Sequence, residues 1–266
     1  MLCMGKPYFE AVHEMDDDLA FYKAALGITR AIPSEETLRQ RMDDISNSLR
    51  QTILEQNVEM LLANKIQPTA LPNGLVPVDI DVTPMDNSKS NKEGVSRTYK
   101  GFDGYAPMMA YIGTEGYAIN FELREGKQHC QNGTVEFLQE TIKLCQKLKD
   151  RSLLIRLDSG NDSIDNVAVL MEAGCFFIIK RNLRRENKND WLEMAKQYCK
   201  NVSSPRDGKT VYVGSDWKNV ISKQFNKEFT LRAGYEITER TIDKYGQFNL
   251  LPDVAVSYTH LRAHET

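Results

Sequence analysis

The chain has no apolar run approaching the roughly 18 residues that a membrane span requires, and residues 1–8 lack the apolar core of a signal peptide. A cytoplasmic protein with no membrane partner is therefore the expectation. Cysteine is scarce and unpatterned: Cys3, Cys130, Cys145, Cys175 and Cys199 are odd in number and form no CxxC pair. That argues for reduced thiols and against a zinc site or a disulfide framework. Charge of one sign is also lacking. A formal net charge of −3 does not by itself point to a nucleic-acid partner, so any such reading rests on local charge. Gly94, Gly101 and Gly104 do not follow a strand in GxGxxG form, which leaves no support for a dinucleotide site. Ser159 has no histidine at a spacing that would make a nucleophilic triad. What remains, 266 residues with 41% apolar and 27% charged, is an ordinary globular composition, large enough for one large domain or two smaller ones.

The most informative stretch is residues 75–83, LVPVDIDVT. Val76, Val78, Ile80 and Val82 alternate as a buried strand, and the two-residue period turns Asp79 and Asp81 to the opposite side. Carboxylates about 7 Å apart on one half-buried strand face need neutralising, and a divalent cation with oxygen ligands does this well. A second apolar run, residues 153–160 (LLIRLDSG), ends in Asp158 and a glycine turn. That is how a central strand delivers a carboxylate to the C-terminal edge of a sheet. Asp81 and Asp158 are therefore expected to meet across adjacent strands and hold metal, with Asp79 either a further ligand or a group behind it. Two metal ions about 3.5–4 Å apart can activate a water or a 3′-hydroxyl and also stabilise the leaving oxygen of a phosphodiester.

In chain order, residues 16–26 and 34–65 read as helices. Pro33 and Ser34 signal the second start, Glu35 and Glu36 favour its first turn, and Leu38, Met42, Ile45, Leu49 and Ile53 form a stripe expected to pack on other helices. Residues 67–74, with Pro68, Pro72 and Gly74, break into the Asp81 strand. A polar, basic loop over 86–103 follows. Residues 105–113 and 117–123 are two apolar runs joined by a hairpin signal. Then come a helix over 134–148, a strand over 153–158, a helix over 163–173 with Asp162 expected as its cap, and an apolar strand over 175–179. The order βββαβαβ gives an α/β fold with a mixed sheet flanked by helices.

That order, with acids on its first and fourth strands, resembles the ribonuclease-H-like fold, and the chain resembles a DDE-type bacterial insertion-sequence transposase. The likeness is carried by residues 78–107 (VDIDVTPMDNSKSNKEGVSRTYKGFDGYAP), 116–134 (GYAINFELREGKQHCQNGT) and 153–162 (LLIRLDSGND). The resemblance implies cut-and-paste DNA transposition with two Mg²⁺ (or Mn²⁺) ions held by two Asp and one Glu. Asp81, in its Asp-x-Thr form with Thr83, matches the first catalytic acid and Asp158 the second. It also implies double-stranded DNA, the terminal repeats of the element, as partner, and a homodimer as the active form.

Two basic groups are candidates for DNA. Lys89, Lys92, Arg97 and Lys100 interleave with Tyr99 and Phe102 in the 86–103 loop, which reads as a DNA-backbone contact or as a solvated loop. Lys180, Arg181, Arg184 and Arg185 (KRNLRR, 180–185) leave the fifth strand directly and read as phosphate ligands. Arg124, Lys127 and His129 lie in a segment that is either a polar turn or faces substrate. Residues 210–213, 229–233 and 235–240 look strand-like, so 186–255 is expected to be a β-rich insertion with Trp191 and Trp217 in its core. The resulting division is 1–70 helical, 71–185 catalytic core, 186–255 insertion. The family's third acid would follow Pro252 and has no match here. Residues 256–266 (VSYTHLRAHET) resemble a translated sequencing adapter, so His260, His264 and Glu265 are left out of the site, and the chain as written is expected to be an inactive fragment.

Overall fold

Ser34 starts the longest helix by accepting the Thr37 backbone N–H with its hydroxyl at 3.3 Å. The computed structural model describes residues 6, 8–148, 152–184 and 186–261, and the chain divides into two compact units, 1–57 and 58–266. In the first unit a 3₁₀ segment, Phe9–Asp18, leads into α1 (Leu19–Ala25), whose cap is Asp18. A single helix over 16–26 was expected, but it is α-helical only after that cap. Helix α2 (Glu35–Ala63) follows and runs across the unit boundary. Its buried positions are Leu54, Val58 and Leu61, whereas Met42, Ile45 and Ile53 of the expected stripe stay exposed. The 3–4 spacing was real, but the face it marked is not the one that becomes dry.

In the second unit, strand β1 (Val76–Val82) buries Val76, Val78, Ile80 and Val82 while Asp79 and Asp81 remain open to solvent in part or in full. The basic stretch after it is mostly turns and irregular chain, as expected, but short strand pairings pin it down. Met85–Asp86 (β2), Ser96–Arg97 (β3) and Asp103–Tyr105 (β4) form a three-stranded sheet in the order β2-β4-β3. These strands are too short for an alternation signal, which is why periodicity did not show them. The chain then forms β5 (Met108–Ile112), β6 (Tyr117–Glu122), helix α3 (Thr134–Leu148), β7 (Leu153–Leu157), helix α4 (Ile164–Glu172) and β8 (Phe176–Lys180). Their order across the sheet is β6-β5-β1-β7-β8. Strand β5 is antiparallel to β1 and β6, while β1, β7 and β8 run parallel. The mixed α/β architecture expected from the sequence is present. Val78, Ile80, Ala110, Ile119, Ile155 and Phe177 supply the sheet's buried residues, and Phe137, Leu138 and Ile142 those of α3.

The remainder corrects the sequence reading in detail. Helix α5 (Lys188–Tyr198) lies where the β-rich insertion was expected to begin, started by Asn187, which caps Asn189 N–H at 3.0 Å. Strands β9 (Asn201–Arg206), β10 (Lys209–Ser222), β11 (Lys227–Ile242) and β12 (Phe248–Leu261) extend the same sheet, because β12 pairs with β8. Gly234 does not divide β11. Residues 256–261 belong to β12, and the rest of the adapter-like stretch lies outside the described residues. Trp191 is buried in a cluster with Leu192, Tyr212, Tyr235 and Ile237, as expected. Trp217 is not: it is exposed, so its assignment to the core was wrong. Among the described residues no helix is long and apolar enough to cross a membrane.

Candidate active site

Two parallel neighbours bring the carboxylates together. Ile80 pairs with Leu157 in the β1–β7 register, so one residue further on Asp81 and Asp158 stand level on strands about 4.8 Å apart. Asp158 keeps an extended backbone, φ −78° and ψ 179°, before the chain turns into a short 3₁₀ segment. Residues level on parallel strands point to the same side. Accordingly both line one cavity of about 520 Å³.

Each carboxylate is fixed through one oxygen. Asp158 Oδ1 accepts Gly160 N–H at 3.0 Å and the Asn161 side-chain amide at 2.9 Å. Asp81 Oδ1 accepts Val82 N–H at 2.8 Å. Among the described residues, none donates to Oδ2 of either. Partial burial, and next the charge of Asp158, push the Asp81 carboxyl above the usual carboxylate range; the Val82 N–H and Lys100 pull the other way. Two hard oxygen donors of like charge are a donor set suited to Mg²⁺ or Mn²⁺. Among the described residues no group of three or more His, Cys, Asp or Glu is arranged to hold a metal.

The walls come from two other segments. Arg97, Thr98 and Tyr99, at the β3–β4 turn, form one side, and Lys127, His129 and Cys130, after β6, form another. The Cys130 thiol donates to Gly160 O at 2.9 Å, tying that wall to the Asp158 turn. Burial, and then Asp158, raise its pKa. Behind the wall lies Arg124, whose side chain is buried. It donates to Cys130 O at 3.1 Å and to Glu122 Oε2 at 2.9 Å, and lies 5.8 Å from the Phe137 ring centre. Gly126 permits the segments to close: a Cβ there would stand 2.0 Å from Ser96 O and 2.4 Å from Gly104 O. The REGKQH segment, legible as a polar turn or a substrate-facing one, thus lines the cavity through Lys127 and His129, while Arg124 supports it from behind. Tyr99 was noted only as an aromatic among the cations of a candidate DNA contact, and Cys130 was missed.

Other candidates lie elsewhere. Asp79 pairs with Arg156, which grips both carboxylate oxygens, and it does not line the cavity. The Arg156 side chain stands level with Asp79 in the strand register, a pairing visible only once the register is known. Lys89 and Lys92 are exposed and away from the cavity lining; Lys100 is exposed and acts on Asp81 through its charge. Arg97 is also 3.7 Å from Asp103. Among the described residues of the 180–185 segment, only Asn182 lines the cavity. Lys180 is exposed at the end of β8, Arg181 bonds Glu186 at 2.7 Å, Arg184 bonds Asp162 O at 2.7 Å, and Arg185 lies outside the described residues. Asp162 does not cap α4. Ser163 does so, accepting Asp165 N–H at 3.2 Å, while Asp162 receives Asn182 N–H at 3.1 Å.

Comparison with solved structures finds a cryo-EM structure of a piggyBac transposase synaptic complex with hairpin DNA at 16% identity and a TM-score of 0.33. The match covers 97% of this chain and 51% of that one, so the chain spans about half the length of that relative. No curated protein matches significantly. The family model described as Transposase DDE domain group 1 matches residues 1–242, a span that contains both cavity carboxylates and all the wall residues. The chain belongs to the transposase DDE domain group 1 family.

Proposed function

We propose that the chain carries the acids of a transposase that cuts and joins DNA, with Asp81 and Asp158 at the reacting phosphodiester. The observation that carries this reading is their convergence on one cavity from neighbouring parallel strands, each with its Oδ2 left without a donor among the described residues. A ribonuclease-H-like core over 71–185, with 186–255 as an insertion, is supported by the strand order third-second-first-fourth-fifth with only the second antiparallel. Asp81 and Asp158 would hold Mg²⁺ or Mn²⁺, which when bound activates an oxygen nucleophile and offsets charge building on the phosphate.

The chain's own residues orient and screen. Gly160 N–H, the Asn161 amide and Val82 N–H fix the two carboxylates before any ligand arrives. Arg97, Lys100 and Lys127 place positive charge around them, which suits a DNA backbone. Lys89, Lys92, Lys180 and Arg184 would extend that contact outwards. Asp79 serves the sheet as the partner of Arg156. In a full-length protein, Asp81→Asn or Asp158→Asn should abolish Mg²⁺-dependent strand cleavage and leave DNA binding intact; retained cleavage refutes the assignment.

A second reading is a non-enzymatic DNA-binding fragment that competes with an intact transposase. Its support is that the cavity gathers only two carboxylates among the described residues. A gel shift with terminal repeats, unaccompanied by cleavage in Mg²⁺, would favour it.

A further inference from the structure

We propose that Tyr99 is a stacking platform for an unpaired nucleobase, so that the strand offered to Asp81 and Asp158 is locally single-stranded. This rests on the reading of the cavity as a DNA site and adds the form in which the DNA enters it. Tyr99 is 71% exposed, yet it lines the cavity that the two carboxylates share. The turn that presents it is well fixed. Gly101 N–H bonds Thr98 O at 3.0 Å, and the Thr98 N–H and hydroxyl both donate to Phe102 O, at 2.9 and 2.8 Å. Thr98 itself is buried, and Gly101 takes the left-handed conformation, φ +88°, that closes such a turn. The ring is therefore held out on a rigid corner. No described residue bonds its hydroxyl or stacks on its face.

Chemistry then selects the occupant. An aromatic face beside a groove that carries cations, here Arg97, Lys100 and Lys127, is how single strands are bound without sequence preference. Paired bases inside a duplex present no free face. An unpaired base does, and a cavity of about 520 Å³ is within the size range of ligand sites. The same turn sets Lys100 where its charge acts on Asp81, so a base stacked on Tyr99 holds its own phosphate near the carboxylates.

The test uses the full chain in chelator, so that binding is read without cleavage. Two probes are compared: a blunt duplex, and the same duplex with a single-stranded overhang containing a fluorescent adenine analogue. Wild type and Tyr99→Phe should quench the analogue and favour the overhang. Tyr99→Ala should lose the quench and bind the overhang about 5- to 150-fold more weakly, with blunt-duplex affinity unchanged. Equal weakening on both probes, or a quench that survives Tyr99→Ala, overturns the stacking role alone. If wild type binds neither probe, the DNA reading of the cavity fails and the proposal falls with it.

Discussion

Asp81 bears a cost that the surrounding residues do not remove. Its carboxyl is pushed up by burial and by Asp158, so the folded chain takes up a proton more readily than the unfolded chain does. For a raised acid, stability falls as pH rises from the ordinary carboxylate value of about 4 to the higher folded value, and the full penalty applies above that. Thermal unfolding in chelator should therefore show Asp81→Asn melting above wild type at neutral pH. The gap should close as pH falls below about 4; an Asn variant that melts lower at neutral pH contradicts the description. At this scale the sequence was informative where strand pattern sets position, as with Asp81 and Asp158, which line one cavity. It was silent where a role depends on register. Nothing in the order of residues says that Arg156 stands beside Asp79, or that Ser163 rather than Asp162 starts α4.

Elements with a clear apolar pattern announced themselves, whereas the two- and three-residue strands, helix α5 and strand β12 did not. β1, α3 and α4 carry apolar residues on the period of their element, and β7 and β8 are continuous apolar runs, because all of them bury side chains. The sheet β2-β4-β3 consists of strands of two or three residues, held by close backbone approach more than by side-chain burial. Gly126 also closes tightly against that sheet, facing the backbone oxygens of Ser96 and Gly104. Gly126→Ala should cost about 1–3 kcal/mol in urea unfolding, as overpacking does. It should also loosen the wall that carries Lys127 and Cys130, seen as faster labelling of Cys130 by a thiol reagent. Unchanged stability would show that the small sheet can shift to admit a methyl group.

For the whole molecule, the unforeseen feature is continuity. The insertion was expected to be a β-rich appendage, but β12 pairs with β8, so one nine-stranded sheet runs from β6 through the carboxylate strands to β9. Sequence could not show this, because pairing between β8 and β12 joins residues about eighty positions apart and is set by backbone hydrogen bonds that any side chains allow. Within that sheet, the neighbouring strands β1 and β7 deliver one acid each to the cavity. The most direct test of that convergence is Mn²⁺ binding by the intact chain, followed by electron paramagnetic resonance, for wild type, Asp81→Asn, Asp158→Asn and Asp79→Asn. The account predicts that wild type and Asp79→Asn bind the ion and that each of the other two variants loses it. Binding that survives in both Asp81→Asn and Asp158→Asn, or disappears only in Asp79→Asn, would contradict it.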